Sequence, residues 1–248
     1  LSGDTTRNGE LTSHEEFIEM LRDLKKRGKR VYVITATHDF RDGGISKGFV
    51  GDKQIEVPAV EERHDLWDMY YEFGPNEAIS THPDSLSYVV QLAPGYRLFA
   101  LNDDTNYKPE GERGSGYSDD CMKWIMEQLE DAKANDQFVI AMTHHPMISP
   151  SPFYSIIRKG DMQRNHETTR EIFADAGLQV MLTGHTHVHN IGYITTEKGN
   201  RFYDIACGAV IGCPPVMRNV IIDPKNARVD VDTVFVDHVE GRDTQGKS

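Results

Sequence analysis

Nowhere in the 248 residues does an apolar run approach the roughly 18 residues that a membrane-spanning helix needs, so no segment reads as a membrane span. Cysteine is scarce. Cys121, Cys207 and Cys213 are an odd number without a C-x-x-C spacing, which fits free thiols better than a disulfide framework or a cysteine-built metal site. Basic residues are outnumbered, 27 Lys and Arg against 39 Asp and Glu, for a net charge of −12. A protein built to track a nucleic-acid backbone carries a basic face, so no nucleic-acid partner is expected. A small phosphate substrate stays compatible with the acidic balance if metal cations supply local positive charge. No internal repeat or low-complexity tract appears, and no signal peptide is visible in these residues. A chain that opens on Leu-Ser-Gly-Asp without an initiator Met reads as one whose N-terminal segment is absent.

What is present alternates. Ser13 followed by Glu16 is a capping-box pattern, and Phe17, Ile18, Leu21 and Leu24 recur at helical spacing as far as Gly28. "VYVITA" is a β-branched run, and residues 41–60, rich in glycine and charge, read as a loop. "HDLWDMYYEFG" predicts a short aromatic helix stopped at Gly74. "LSYVVQL" and "RLFALND" predict two strands about the turn "APGY". Ser118 opens a helix with Met122, Ile125, Met126 and Leu129 on one face. "FVIAMT" and "LQVML" predict strands, and "HETTREIFADAG" a helix closed by Gly177. From about residue 190 the pattern becomes short β segments: "IGYIT", "RFYDIA", "RNVIID" and "VDVDTVFV". The alternation implies a mostly parallel sheet flanked by helices, and the β-rich tail a second sheet. The expected class is therefore α/β, a layered α/β/β/α sandwich of two mixed sheets flanked by helices. One domain would span 1–238, with 239–248 as a loose tail.

The placement of polar residues carries the chemistry. "LSGD", "VYVITATHD", "FVIAMTHHP" and "LQVMLTGHTH" are apolar runs that each end, on the C-terminal side, in Asp or His. In an open parallel sheet those ends share one edge, where ligands bind, so Asp4, His38, Asp39, His144, His145, His185 and His187 are expected to converge. A single histidine there is most simply a strand cap; four strand ends in succession are not. Several imidazoles with a carboxylate make a site for a first-row transition metal. The one-residue spacing of His185 and His187 points both rings the same way on an extended backbone.

These residues carry a resemblance to the calcineurin-like metallophosphoesterases, whose ordered blocks are D-x-H, G-D, G-N-H-[DE], a His before x-Pro, and G-H-x-H. Gly3-Asp4, Ala36-Thr37-His38-Asp39, His144-His145-Pro146 and Gly184-His185-Thr186-His187 are similar to the last four, in order, across nearly the first 190 residues. The first block is missing, and Thr37 stands where the family has a metal-binding Asn. The resemblance implies a metallo-dependent phosphatase-like fold and two divalent or trivalent transition metals (Mn, Fe or Zn). It implies Asp4 as their bridge, His144 and His185 on one ion and His187 on the other. His38 would meet the phosphoryl oxygens or protonate the leaving alkoxide, with Asp39 orienting its ring.

The implied activity is hydrolysis of phosphate mono- or diesters by hydroxide formed on a pair of metals about 3.5–4 Å apart. A small phosphoester is the implied partner. The segment 41–116, with Trp67, Tyr70, Tyr71, Phe73 and Tyr107, would either roof the crevice and choose the substrate or form a small hydrophobic core of its own. His14, His64, His82, His166 and His238 are expected at the surface or in loops, and Gly9-Glu10 and Ser13-His14 as the turn and cap of the first helix. A degenerate, non-catalytic metal-binding module and a nuclease on the same fold are the alternatives.

Overall fold

A strand that is apolar on every residue, not on every second one, asks to be buried on both faces. The computed structural model, which describes residues 1–41, 43–104, 114–152, 154–212, 215–223, 226 and 228–236, puts such strands in the middle. In chain order the elements are α1 (Leu11–Lys26), β1 (Lys47–Val50), β2 (Lys53–Glu56), α2 (Arg63–Met69), β3 (Ala78–His82), β4 (Ser87–Ala93), β5 (Tyr96–Ala100) and α3 (Asp119–Ala134). There follow β6 (Phe138–Met142), the single turn α4 (Tyr154–Ile157), α5 (His166–Ala176), β7 (Val180–Thr183), β8 (Asn190–Thr195), β9 (Arg201–Ala206), β10 (Val216–Asp223) and β11 (Arg228–Phe235). Seven strands form one mixed sheet in the order β3-β4-β5-β6-β7-β9-β8. Its centre, β5 through β6 and β7 to β9, is parallel, and antiparallel pairs flank it on both sides. The parallel centre brings the C-terminal ends of β5, β6 and β7 to one edge.

Side-chain alternation divides the core into two faces. On one, Phe99, Leu101, Val139, Ala141, Met181 and Phe202 meet Ile125 and Leu129 of α3 and Phe173 of α5. On the other, Leu98, Ala100, Ile140, Met142, Val180 and Ile205 meet Ile34 and, from the β10–β11 hairpin, Val220, Ile222 and Val231. Behind Ile34, Val33 packs with Ile18 and Leu21 of α1 and with Leu66, Tyr70 and Phe73 in and after α2. The layers therefore run helix, sheet, thin β layer, helix. Among the described residues no helix is long and apolar enough to cross a membrane.

Five local expectations change. The β-rich tail does not build a second sheet by itself: β8 and β9 join the main one, and only β10 and β11 remain a separate hairpin. The reason is burial, since Phe202, Asp204, Ile205 and Ala206 are all buried and β9 needs cover on both faces. "VYVITA" is extended but holds only one bridge, Ser2 to Ile34, parallel. There the hydroxyl of Tyr88, reaching across from β4, donates to the Val33 carbonyl at 2.7 Å, while the Val33 N–H is shared between the Phe73 carbonyl at 3.0 Å and the Tyr88 hydroxyl at 3.2 Å. Gly74 makes this reach possible: at φ +128°, any Cβ would sit 2.2 Å from the Tyr88 oxygen.

The loop expected over 41–60 contains the β1–β2 hairpin, turning on Gly51-Asp52. Helix α1 begins at Leu11, ahead of the Ser13 capping pattern, because the Leu11 N–H is already satisfied by the Pro58 carbonyl at 3.0 Å. Of the aromatic set, Tyr70 and Phe73 are core and Trp67 packs edge-on against Tyr88, leaving Tyr71 exposed. Tyr107, His238, Cys213 and the 239–248 tail lie outside the described residues.

Candidate metal centre

The N-terminal turn is built from two successive left-handed residues. Gly3 has φ +83°, and a Cβ there would lie 2.4 Å from the Ala36 Cβ, so only glycine lets the turn settle against the second segment. Asp4 follows at φ +55°, a conformation L-residues seldom hold. His185 at +62° and His187 at +56° share it. Backbone strain of this kind persists only where the surroundings over-determine it.

For Asp4, what over-determines it is Asp39. This carboxylate is wholly buried, and one oxygen accepts from the N–H groups of Asp4 and Ala36, both at 2.9 Å. The other accepts from Thr5 N–H and Thr5 Oγ1, both at 2.6 Å, and from Thr6 N–H at 3.3 Å. Five donors leave it no capacity to orient the His38 ring, so the expected pairing of Asp39 with that imidazole is corrected: Asp39 ties the two turns together. His38 itself is exposed. Its backbone is pinned, its N–H to Asp4 Oδ1 at 2.9 Å and its carbonyl to Thr6 Oγ1 at 2.7 Å.

The chain brings Asp4, His144 and His185 together from three separate segments. His144 Nε2 lies 3.1 Å from Asp4 Oδ2 and 3.0 Å from His185 Nδ1. His144 Nδ1 is 2.6 Å from the Ser2 carbonyl, which can only accept, so Nδ1 carries a proton. A neutral His144 would then aim a bare lone pair at a carboxylate and at a second imidazole. A proton or a cation has to stand between them. His145 joins the cluster, its ring 4.2 Å from that of His185 and 4.9 Å from that of His144. One nitrogen from each of His144, His145 and His185 falls within 4.8 Å of the others, which suits a single transition-metal ion. The Thr37 hydroxyl is buried without a hydrogen-bond partner.

His187 stands apart. The 185–187 backbone is a left-handed turn, not an extended strand, and Thr186 N–H closes on the Gly184 carbonyl at 2.7 Å. His185 is half-buried while His187 is exposed. Two histidines expected at the surface are buried instead. His14 bridges Tyr70 Oη and the Asp39 carbonyl, each at 2.7 Å, and His82 bridges Ser85 Oγ at 3.0 Å and Asp120 Oδ2 at 3.1 Å.

Two carboxylates escape the sequence reading. Asp103, fully buried beyond β5, sits 3.2 Å from His145 Nδ1. An apolar strand ending in Asp was the available signal, but read as the return limb of a hairpin, "RLFALND" hides that β5 runs parallel to β6. Asp204 on β9 accepts from Met147 N–H at 2.6 Å, Ile148 N–H at 2.9 Å and Thr183 Oγ1 at 2.5 Å. It therefore ties the loop after His144 and His145 to the strand that leads to His185. A carboxylate inside the run "FYDIA" was its signal.

The charges follow from these contacts. Burial alone would raise the Asp4 carboxyl, but the hydrogen bond and charge of His144, with help from His38, hold it well below the usual carboxylate range. Burial pulls His144 down, yet the Asp4 hydrogen bond and charge, the Asp103 charge and the Ser2 carbonyl outweigh it and lift the ring from 6.5 to about 9. His185 moves the other way, lowered from 6.5 to about 3 by burial and by its two imidazole neighbours. One proton thus sits on His144 beside Asp4, and His185 keeps a free lone pair. Metal binding at such a set displaces that proton.

The sequence profile of the calcineurin-like phosphoesterases matches residues 1–189. No curated protein gives a significant match. Among solved structures the fold is similar to a dimetal phosphatase from Danio rerio, at a TM-score of 0.58 and 14% identity, over 82% of this chain and 69% of that one.

Two expectations follow from the buried carboxylates. Asp39→Asn turns an NH₂ group toward backbone N–H donors and should cost roughly 2–5 kcal/mol in urea unfolding, at about 1–3 kcal/mol per unsatisfied buried donor. A loss near zero would mean the turns are held elsewhere. For Asp204, burial raises the carboxyl from 3.8 to about 6 against its hydrogen-bond donors and the Arg170 charge. The folded state then binds the proton more tightly than the unfolded chain, so this group's contribution to stability is full below about pH 4 and falls as the pH rises to about 6. In thermal melts at about pH 4.5 and about pH 6.5, the stability of the wild type relative to Asp204→Asn should drop with rising pH, and a rise would reverse the sign.

Proposed function

The chain belongs to the calcineurin-like phosphoesterase family, and on that premise we propose that it hydrolyses phosphate mono- or diesters with two transition-metal ions, Mn, Fe or Zn. Asp4 would bridge them, His144 and His185 would hold one, and His187 the other. The observation that carries this reading is the meeting of Asp4, His144 and His185 around a point that a proton or cation must fill. The donor set fits one ion closely. For the second, Asp4 and the exposed His187 are the candidates among the described residues.

Bound ions of this kind supply Lewis acidity, which lowers the pKa of a water and offsets phosphoryl charge. The chain's own residues do the rest. Asp4, held ionised, would supply negative charge to the ions it holds, and the Ser2 carbonyl fixes which nitrogen His144 presents. His38 serves as proton donor to the leaving alkoxide. Its backbone is anchored to Asp4 and Thr6 while its ring is open to solvent, the arrangement a group needs to meet a departing substrate. Asp39 supports it through the backbone of the turn and not through the ring. The acidic chain suits a small phosphoester whose charge is met by metal, in preference to a polyanion.

The test pairs metal analysis of the purified chain with turnover of p-nitrophenyl phosphate and bis-p-nitrophenyl phosphate in added Mn. Hydrolysis should vanish on chelation and return with metal. Metal bound without hydrolysis would leave a binding module. His38→Ala should lower turnover by about 10²–10⁴ with metal content unchanged, the scale of a lost general acid. A parallel loss of metal would make His38 a ligand instead.

A further inference from the structure

We propose that His145, steered by the buried carboxylate of Asp103, is a fourth protein donor to the metal ion held by Asp4, His144 and His185. The inference rests on the metal-dependent reading above for the presence of an ion and extends it to a residue pair that the reading leaves without a role.

Proton bookkeeping is the first support. Asp103 Oδ1 lies 3.2 Å from His145 Nδ1, and Oδ2 accepts the His145 backbone N–H, also at 3.2 Å. A carboxylate only accepts, so Nδ1 carries a proton, and Nε2 is the nitrogen left to meet an ion. The same holds for His144, whose Nδ1 is taken by the Ser2 carbonyl at 2.6 Å. In both neighbouring imidazoles the outer nitrogen Nδ1 is therefore occupied, and Nε2 is the nitrogen available to an ion. A ring whose outer nitrogen is tied to a carboxylate is the usual setting of a metal-ligating histidine, since the carboxylate fixes the ring and raises its basicity.

Position is the second support. Asp103 follows β5 and His145 follows β6, which are parallel neighbours, so the pair stands on the sheet edge where the other ligands meet. His145 stacks within 4.2 Å of the His185 ring, and one nitrogen of each falls within the same 4.8 Å group as that of His144. Charge is the third. Asp103 is fully buried, and an uncompensated carboxylate at that depth is strongly unfavourable. With Asp4 against His144 and Asp103 against His145, two carboxylates flank three imidazoles, a complement to a divalent ion. Four nitrogen and oxygen donors also complete the coordination that zinc commonly takes.

The experiment titrates the full chain, stripped of metal, with Zn²⁺ and Mn²⁺ against a chromophoric chelator, and records the visible absorption of bound Co²⁺. His145→Gln, which keeps the volume and can still donate to Asp103, is expected to weaken binding about 10–100-fold and to alter the Co²⁺ spectrum; Asp103→Asn is expected to weaken it about tenfold. Near-UV circular dichroism confirms that each variant is folded, and His144→Gln serves as the positive control. If His144→Gln loses metal while folded His145→Gln binds within about twofold of wild type with an unchanged Co²⁺ spectrum, the proposal for His145 is overturned and the metal-dependent function stands. If the wild type itself binds none of the three ions, both fall together. Should Asp103→Asn refold poorly, His145→Gln still decides the question alone.

Discussion

A buried carboxylate, Asp39, holds together the two turns that carry Asp4 and His38. Asp39 would be costly in the interior, where a charge loses its hydration, but five donors from residues 4–6 and 36 surround it. The result is that two turns more than thirty residues apart behave as one rigid piece. Helix α1 reinforces the piece from behind. The Asp39 carbonyl can only accept, so His14 Nε2 carries the proton and His14 Nδ1 receives the hydroxyl of Tyr70, which in turn stands 3.3 Å from Thr5 Oγ1. Asp4 can hold its left-handed backbone because everything around it is fixed first.

Asp204 repeats the device on the other half of the rim. It joins the backbone after His145 to the hydroxyl of Thr183, two residues before His185. The segments that carry Asp4, His144 and His185 are therefore tied in pairs by carboxylates, and the left-handed conformations of Asp4 and His185 lie next to those ties. Such placement is the physical meaning of preorganisation: the donors are brought to a shared point by backbone hydrogen bonds before any ion or ester arrives. Electrostatics completes it. Asp4 and Asp103 each contact the imidazole cluster, so a cation placed there would gain from both carboxylates, and a phosphate anion would gain only once that cation is bound.

Much of this was legible in the residues themselves. Helices α3 and α5 were readable because Ser118 and Gly177 punctuate clean helical spacing. Strands β5, β6 and β7 were readable because they are largely apolar, and the His endings of β6 and β7 marked the edge where polar residues gather. The gaps have a common cause. Whether "RLFALND" runs parallel to its other neighbour, whether "RFYDIA" enters the main sheet, and whether a buried oxygen of Asp39 faces a ring or a backbone all depend on partners distant in the chain.

The order of the chemistry, with Asp4 first, then His38, then the paired histidines near 144 and 185, was determined by sequence alone, because residue type and strand-end position suffice to say which groups can bind a cation. The roles within that set were decided only by tertiary structure. Asp39 became a clamp, Asp103 a partner for His145, and His187 an exposed neighbour of a half-buried His185. Hydrogen bonds are short-ranged and directional, so the task of a carboxylate or an imidazole is set by whichever donor the fold brings within about 3 Å, and no local pattern carries that information.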